Sequence, residues 1–238
     1  MNAIAAVLNQ PNGPFSIETV EVAQPQAGEV RVAIKAVGIC HTDLVVASGA
    51  MGLQFPAILG HEGAGIVDAV GEGVTGLKPG DKVLLTFNSC GACKPCGCHE
   101  PAYCSNFVPL DMIAARSDGS SRVTRDGKPV SDNFFGQSSF ASLAIANERN
   151  VLKVDDDANL AVLAPLGCGI QTGAGGVLRS LGAQAGEALV VLGAGAVGLS
   201  AVLGGGIAGC ATIIVVEPQE GRRALAMQLG ATHVLDGQ

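Results

Sequence analysis

The chain has 238 residues and a formal charge of −7, from 14 Lys and Arg against 21 Asp and Glu, so it lacks the basic excess of a nucleic-acid-binding surface. Hydrophobic residues make up 48% and charged residues 15%, the reverse of the balance that keeps a chain disordered, and the length allows one or two domains. Gly contributes 34 residues while Trp is absent and Tyr occurs once, which points to dense turns and an aliphatic core.

The first part alternates apolar and polar residues in short runs. Ala3–Leu8, Phe15–Val22 and Val30–Val37 read as strands separated by Pro and Gly turns. Ala64–Val70 and Lys82–Thr86 continue the pattern, which argues for a β-rich, barrel-like domain. Asn88 to Tyr103 turns to Cys, Gly, Pro and Lys and reads as a loop, and the polar stretch from Ser117 to Asn133 reads as another. Ser139–Ala146 and Val151–Val154 return to strand character.

After about Asp155 the period changes. Ala158–Leu166 and Gln171–Leu181 read as helices. Ala188–Leu192 is an apolar strand, Ala196–Ile207 a helix, Thr212–Glu217 a second strand, Glu220–Leu229 a helix, and His233–Leu235 begins a third strand. This β-α-β-α-β order predicts a parallel sheet with helical crossovers. The expected domains are 1–157 and 158–238, the second holding only part of a doubly wound sheet. Gly204–Gly206 falls inside a predicted helix, where each Gly costs about 1 kcal/mol relative to Ala.

The N-terminus lacks a basic segment followed by a long apolar run, so it does not read as a signal peptide. The most apolar stretch, Ala185 to Val216, is interrupted by Glu187 and several glycines and reads as a buried strand–helix–strand rather than a membrane span. Eight cysteines without an export signal favour metal ligands or reactive thiols over disulfides, and a cytoplasmic location.

The strongest local signal is Cys90-x-x-Cys93-x-x-Cys96, followed by Cys104. Four thiolates from one Gly-rich loop can close a tetrahedral shell around zinc, which leaves no open position and marks a structural site. The competing reading is a cluster of free or oxidisable thiols acting as a redox sensor. Cys98 and His99 lie inside the loop, and Cys98 breaks the spacing, so it is expected to stand aside. A second, scattered set is Cys40, His61 and Cys168. Two thiolates and an imidazole are a three-ligand zinc set with one position left open, although a lone Cys or His is more often a core residue. The third signal is Gly193-x-Gly195-x-x-Gly198 after an apolar strand and at the start of a helix, with Glu217 ending the next strand. In that context the first Gly makes the turn, the second admits a pyrophosphate and the third lets helix and strand pack closely. Glu217 can accept hydrogen bonds from the adenosine ribose and repel a 2′-phosphate, which favours NAD.

Jointly, Gly38-Ile39-Cys40-His41-Thr42-Asp43, Gly60-His61-Glu62-Gly63, the four-Cys lobe, Pro165-Leu166-Gly167-Cys168-Gly169 and the glycine turn resemble the zinc-dependent medium-chain alcohol dehydrogenases. The segments Phe134–Ala141 and Gly167–Gly175 are most similar to the aryl-alcohol (benzyl-alcohol) branch. The resemblance implies an α/β and β fold, a GroES-like β-barrel-type catalytic domain followed by an incomplete Rossmann dinucleotide-binding domain. It implies two zinc ions per chain, a catalytic one on Cys40, His61 and Cys168 and a structural one on Cys90, Cys93, Cys96 and Cys104. Thr42 would pass the substrate proton outward, Asp43 would hold the His61 tautomer, and Glu62 would stand beside the metal. His41, Thr172, Gly193, Gly195, Gly198, Glu217 and Arg222 would contact NAD. A histidine that many members place after the Thr42 position is absent, replaced by Leu44, Val45 and Val46.

The implied reaction is reversible oxidation of a primary, aryl-type alcohol to its aldehyde. S-(hydroxymethyl)glutathione or polyol oxidation on the same scaffold is the alternative among enzymes. Family members run longer, so truncation at the C-terminus is expected, and an inactive zinc-binding fragment is the non-enzymatic alternative. The expected partner is a small-molecule alcohol or aldehyde, with homo-oligomers formed in the full-length family.

Overall fold

The computed structural model describes residues 1–113, 116 and 118–237; positions 117 and 238, which bound two of the expectations above, lie outside the described residues. The chain divides by its contacts into two units, Met1–Gly167 and Cys168–Gln238. The expected boundary after residue 157 falls earlier than this division, because Leu160 and Ala164 pack with Ala64 and Leu84 in the core of the first unit.

The first unit is built from ten strands, β1 (Asn2–Leu8), β2 (Phe15–Val22), β3 (Glu29–Val37), β4 (Ala57–Ile58), β5 (Gly63–Val70), β6 (Lys82–Leu85), β7 (Val123–Arg125), β8 (Lys128–Pro129), β9 (Leu143–Asn147) and β10 (Val151–Lys153). They form two five-stranded sheets in the orders β4-β1-β2-β7-β8 and β10-β6-β5-β3-β9. The strands are antiparallel neighbours within each sheet. Alternation along β9 explains how the sheets share an interior. Leu143 and Ile145 face a core with Ala5, Val7, Val20 and Ile58, while Ala144 and Ala146 face a second core with Val32, Val67 and Leu85. A strand with both faces buried needs small and branched aliphatic residues, and β9 supplies them.

The expected strand from Ser139 begins later, at Leu143, because residues 140–142 turn the corner between the sheets. Ala6 N donates to Phe140 O (2.8 Å), Ser142 N to Ile4 O (2.7 Å) and Ile34 N to Ser142 O (3.1 Å), so this segment bonds to both β1 and β3. The expected loop from 117 to 133 contains the β7–β8 hairpin. Its turn is Asp126-Gly127 with φ of 51° and 73°, the pair of positive φ values that closes a tight hairpin. The polar composition of the segment conceals this turn signal.

The second unit carries β11 (Ala188–Leu192), β12 (Thr212–Val216) and β13 (His233–Leu235) as a parallel sheet in that order. The crossovers are the helices Ala196–Ala208 and Glu220–Gln228. The predicted helix at 171–181 is an α-helical segment, Gly169–Gly175, that widens into a π-helical turn at Gly176–Leu181. Two of the three glycines, Gly204 and Gly205, find their reason in packing, while a Cβ at Gly206 would meet nothing within 4 Å. A Cβ at Gly205 would stand 2.7 Å from Leu189 Cδ2 and 3.0 Å from Ile213 Cδ1, and one at Gly204 would stand 3.0 Å from Ala174 Cα. The helix gives up propensity to lie close against the sheet and its neighbouring helix. Among the described residues no single helix is long and apolar enough to cross a membrane.

Gly60 is constrained both by its backbone conformation and by its neighbours. It has φ +88°, and a Cβ there would stand 2.5 Å from both Phe140 N and Phe140 Cδ1. Gly60→Ala is therefore expected to lose about 2–4 kcal/mol in chemical denaturation, combining a disfavoured φ with an unrelieved backbone clash. A loss under about 0.5 kcal/mol, the size of an ordinary surface change, would contradict this reading.

Candidate functional site

Cys40 follows β3 and is the N-cap of the helix His41–Ala47, in an extended conformation with φ −100° and ψ 154°. Asp43, at the third helical position, reaches back, and its Oδ2 accepts the Cys40 backbone N–H at 2.9 Å. This is the returning arm of a capping box, with Asp in place of Glu. Its Oδ1 accepts the Gly60 N–H at 3.0 Å and lies 3.0 Å from His61 Nδ1. Asp43 and His61 are each only 1% exposed, so a single buried carboxylate ties the Cys40 backbone to the His61 ring. With Nδ1 donating to Asp43, Nε2 is the nitrogen that can serve as a metal ligand.

The ligand atoms of Cys40, His61 and Cys168 all lie within 4.8 Å of one another. Burial opposes ionisation of the Cys40 thiol. Hydrogen bonds from the Thr42 backbone N–H and hydroxyl, together with His61, outweigh it and hold the thiol below its ordinary pKa. Two sulfurs and one imidazole nitrogen at this spacing fit a zinc ion with one coordination position left over. Thr42 Oγ1 stands 3.5 Å from Cys40 Sγ. Glu62 is buried beside His61, in room left by Gly38, where a Cβ would stand 1.9 Å from Glu62 Oε2. Leu44 is exposed, Val45 half-buried and Val46 buried, and none of the three can carry a proton.

The segment Phe134–Ser139 wraps behind this set. Gln137 Nε2 donates to His61 O (3.0 Å), while Gln137 Oε1 accepts from Gly63 N (3.0 Å) and Ser139 Oγ (2.6 Å). The Phe135 ring stacks on His61 with centroids 4.6 Å apart and planes at 25°, and Phe134 meets His61 edge-on at 5.2 Å. From sequence this segment marks only the family branch. An aromatic pair before a glycine, in a chain this poor in aromatics, is the signal that could have pointed to it.

Cys90, Cys93, Cys96 and Cys104 form a second cluster, their sulfurs also within 4.8 Å of one another. The backbone N–H of Ala92, the Asn106 side chain and the backbone N–H of Cys93 lower the Cys90 pKa to about 5. Desolvation and the neighbouring Cys93 thiol push Cys96 up to about 11. Without a cation the four thiols do not all ionise, whereas a divalent ion would draw all four into thiolate form. Cys98 is exposed and outside this cluster, and His99 takes a left-handed turn with φ 63°. Among the described residues all eight cysteines are free of disulfides. Asp111, which ends the helix Phe107–Asp111, ties the base of the lobe by accepting the Asn88 N–H at 2.7 Å. It is fully buried and no cation pairs with it among the described residues, so burial raises its carboxyl to about 7.

In the second unit Gly193 turns with φ +91°, and its N–H donates to Val216 O at 2.8 Å. A Cβ at Gly198 would strike Gly193 O at 1.8 Å, whereas one at Gly195 would meet nothing within 4 Å. The turn is closed on its helix side and open at Gly195, the N-cap of Ala196–Ala208, where a phosphate could approach the backbone. Glu217 is buried at the end of β12. Its Oε2 accepts the Ala194 N–H (2.8 Å), its Oε1 accepts the Gln219 N–H (2.9 Å), and these donors hold the carboxyl below its ordinary range. Arg222 Nη1 stands 4.0 Å from Glu217 Oε2. Thr172 is exposed and donates to Cys168 O at 2.8 Å, and His41 is exposed on the first turn of its helix.

The family model of the alcohol dehydrogenase GroES-like domain matches residues 26–156, more than half of the chain. The chain belongs to this alcohol dehydrogenase family. It is 50% identical over 237 residues to a geraniol dehydrogenase of Castellaniella defragrans, covering 99% of this chain and 63% of that protein. The structure of an alcohol dehydrogenase zinc-binding domain protein from Burkholderia ambifaria superposes with a TM-score of 0.97 at 47% identity, over 99% of this chain and 64% of that one. Benzyl alcohol dehydrogenase of Acinetobacter calcoaceticus gives a TM-score of 0.93 at 44% identity, over 98% of this chain and 63% of that one. The chain thus spans a little under two thirds of the length of these relatives.

Two outcomes are expected. Asp43→Ala should weaken zinc binding at Cys40–His61–Cys168 by about 10- to 100-fold in equilibrium dialysis, because it removes the group that fixes the ligand nitrogen. Unchanged affinity would contradict that role. Asp111 holds its proton more tightly in the folded than in the unfolded chain, where its pKa is about 3.9. Its contribution to stability is complete below about pH 4 and lost as pH rises through about 7. The wild-type denaturation midpoint should therefore fall relative to that of Asp111→Asn between about pH 5 and about pH 8. Parallel curves would show that Asp111 does not titrate in this window.

Proposed function

We propose that this alcohol dehydrogenase family member catalyses the reversible oxidation of a primary alcohol, of the aryl or benzyl type, to its aldehyde, using NAD and two zinc ions. The observation that carries the reading is the convergence of Cys40, His61 and Cys168 ligand atoms within 4.8 Å, with Asp43 behind the imidazole. Bound zinc supplies Lewis acidity toward the alcohol oxygen, and bound NAD accepts the hydride.

The residues of the chain then have separate tasks. Thr42 Oγ1, in contact with Cys40 Sγ, takes up the alcohol proton and hands it outward. Asp43 keeps the imidazole oriented through the turnover, and its charge favours the donor character of His61. Glu62 adds a buried carboxylate beside the set. The backbone at Gly193, Gly195 and Gly198 receives the pyrophosphate at the start of a helix, where N–H groups and the dipole favour an anion. Glu217 receives the ribose, and since its neighbours keep it ionised it repels a 2′-phosphate. Arg222, His41 and Thr172 complete the cofactor contacts. Cys90, Cys93, Cys96 and Cys104 hold the second zinc, which organises the lobe and takes no part in the chemistry. A reduced, cytoplasmic location suits eight free thiols.

The test is NADH formation with benzyl alcohol and with geraniol, alongside Cys40→Ser and Glu217→Gln variants. The proposal expects turnover with a primary alcohol, loss of at least about 100-fold in Cys40→Ser, and a shift of the NADP-to-NAD preference toward NADP in Glu217→Gln. Full turnover in Cys40→Ser would overturn the metal assignment. Zinc binding with no dehydrogenase activity toward any alcohol would favour a non-catalytic role.

A further inference from the structure

We propose that Phe135 is a positioning residue for His61, fixing the plane of the imidazole, and that the four-cysteine lobe braces Phe135 through Phe107. The inference rests on reading Cys40, His61 and Cys168 as a zinc set.

Asp43 holds His61 at one atom, Nδ1. That hydrogen bond sets the tautomer of the ring but does not by itself fix the tilt of its plane. A metal ligand must point its lone pair to within about 10–20° of the productive direction. Phe135 supplies the second constraint. Its ring lies over the imidazole face at 4.6 Å and 25°, and Phe134 closes against the imidazole edge-on.

The backbone supports a role beyond core filling. Phe135 has φ 51° and ψ 37°, a left-handed conformation that side chains disfavour. Such conformations persist where the surroundings hold them, and they gather at functional sites. Here a residue in this conformation is the one whose ring stacks on the imidazole face.

What holds it comes from the lobe. The Phe107 ring meets Phe135 edge-on, with centroids 5.6 Å apart at 73°. Phe107 starts a helix three residues after Cys104. At the other end of that helix Asp111 bonds to Asn88, two residues before Cys90. Gly136 lies against the same base, where a Cβ would stand 2.9 Å from Asn88 Cβ. Both ends of the cysteine loop are thus joined to the turn that carries Phe135, so order in the lobe is passed to His61 through ring contacts.

The experiment uses the full chain loaded with zinc, and compares Phe135→Gly, Phe135→Leu and Phe135→Tyr. Release of zinc to a chromophoric chelator separates the three-ligand set from the lobe by rate. Long-range proton–nitrogen correlation spectra of histidine-labelled protein follow the His61 ring with or without metal. Phe135→Gly permits the left-handed backbone but deletes the ring. It should release the three-ligand zinc at least about tenfold faster, leave lobe release unchanged, and broaden or split the His61 ring signals. Phe135→Leu should do the same should the glycine variant fail to fold, and Phe135→Tyr should restore wild-type behaviour.

Wild-type release and unaltered His61 signals in both ring-deleted variants would overturn the inference. Absence of zinc from the three-ligand set in the wild type would instead count against the metal reading. The ring signals would still decide whether Phe135 orients His61.

Discussion

The arrangement depends on one buried carboxylate. Asp43 is 1% exposed and meets three donors, the backbone N–H groups of Cys40 and Gly60 and the ring of His61. A charge removed from water must be hydrogen-bonded, and leaving one unpaired costs several kcal/mol. The requirement therefore acts as a clamp. It joins the first turn of His41–Ala47 to the turn at Gly60, two segments that sequence alone leaves unrelated. Once joined, Cys40 and His61 have a fixed separation, and the imidazole has one available ligand nitrogen.

Around that clamp, side-chain chemistry is distributed by task. The two cores on either face of β9 are Val, Ala, Leu and Ile, whose branched side chains fill the space beside the twisted sheets. The few aromatics are concentrated elsewhere. Phe55, Phe134, Phe135 and Phe140 share a cluster with Leu8, Val46 and Leu59, next to His61. The glycines divide in the same way. Some turn the chain, as at Gly60 and Gly193, and others remove a Cβ that close packing would reject, as at Gly198 and Gly205. The composition that looked like a general tendency to turn is, at these positions, a set of local steric requirements.

Much of the fold was legible because hydrophobic period and turn residues agree. Phe15–Val22, Ala188–Leu192 and His233–Leu235 coincide with observed strands, and the others differ by a residue or two at their ends, apart from β9. The four-cysteine spacing and the glycine turn are local patterns, so their geometry follows from neighbouring residues. The set Cys40, His61 and Cys168 is not local, and spacing could not bring it together. The family resemblance did so, and Asp43 explains how two of the three, Cys40 and His61, are joined. The helix His41–Ala47 was overlooked because its cap is a Cys answered by an Asp, an uncommon form of the capping box. Phe135 was missed as a contact of His61 because its placement requires a left-handed backbone that sequence does not announce.

If Cys40, His61 and Cys168 hold one zinc ion and the four-cysteine lobe another, two zinc environments of different composition coexist in one chain. X-ray absorption at the zinc edge reads this directly, since sulfur scatters at about 2.3 Å and nitrogen or oxygen at about 2.0–2.1 Å. A lobe of four sulfurs averaged with a set of two sulfurs, one imidazole and one oxygen gives about three sulfurs and one lighter atom per zinc, with imidazole outer-shell scattering. That averaged shell is the expected spectrum. A shell of sulfur alone, with one zinc per chain, would mean that Cys40, His61 and Cys168 do not share an ion, and would contradict it.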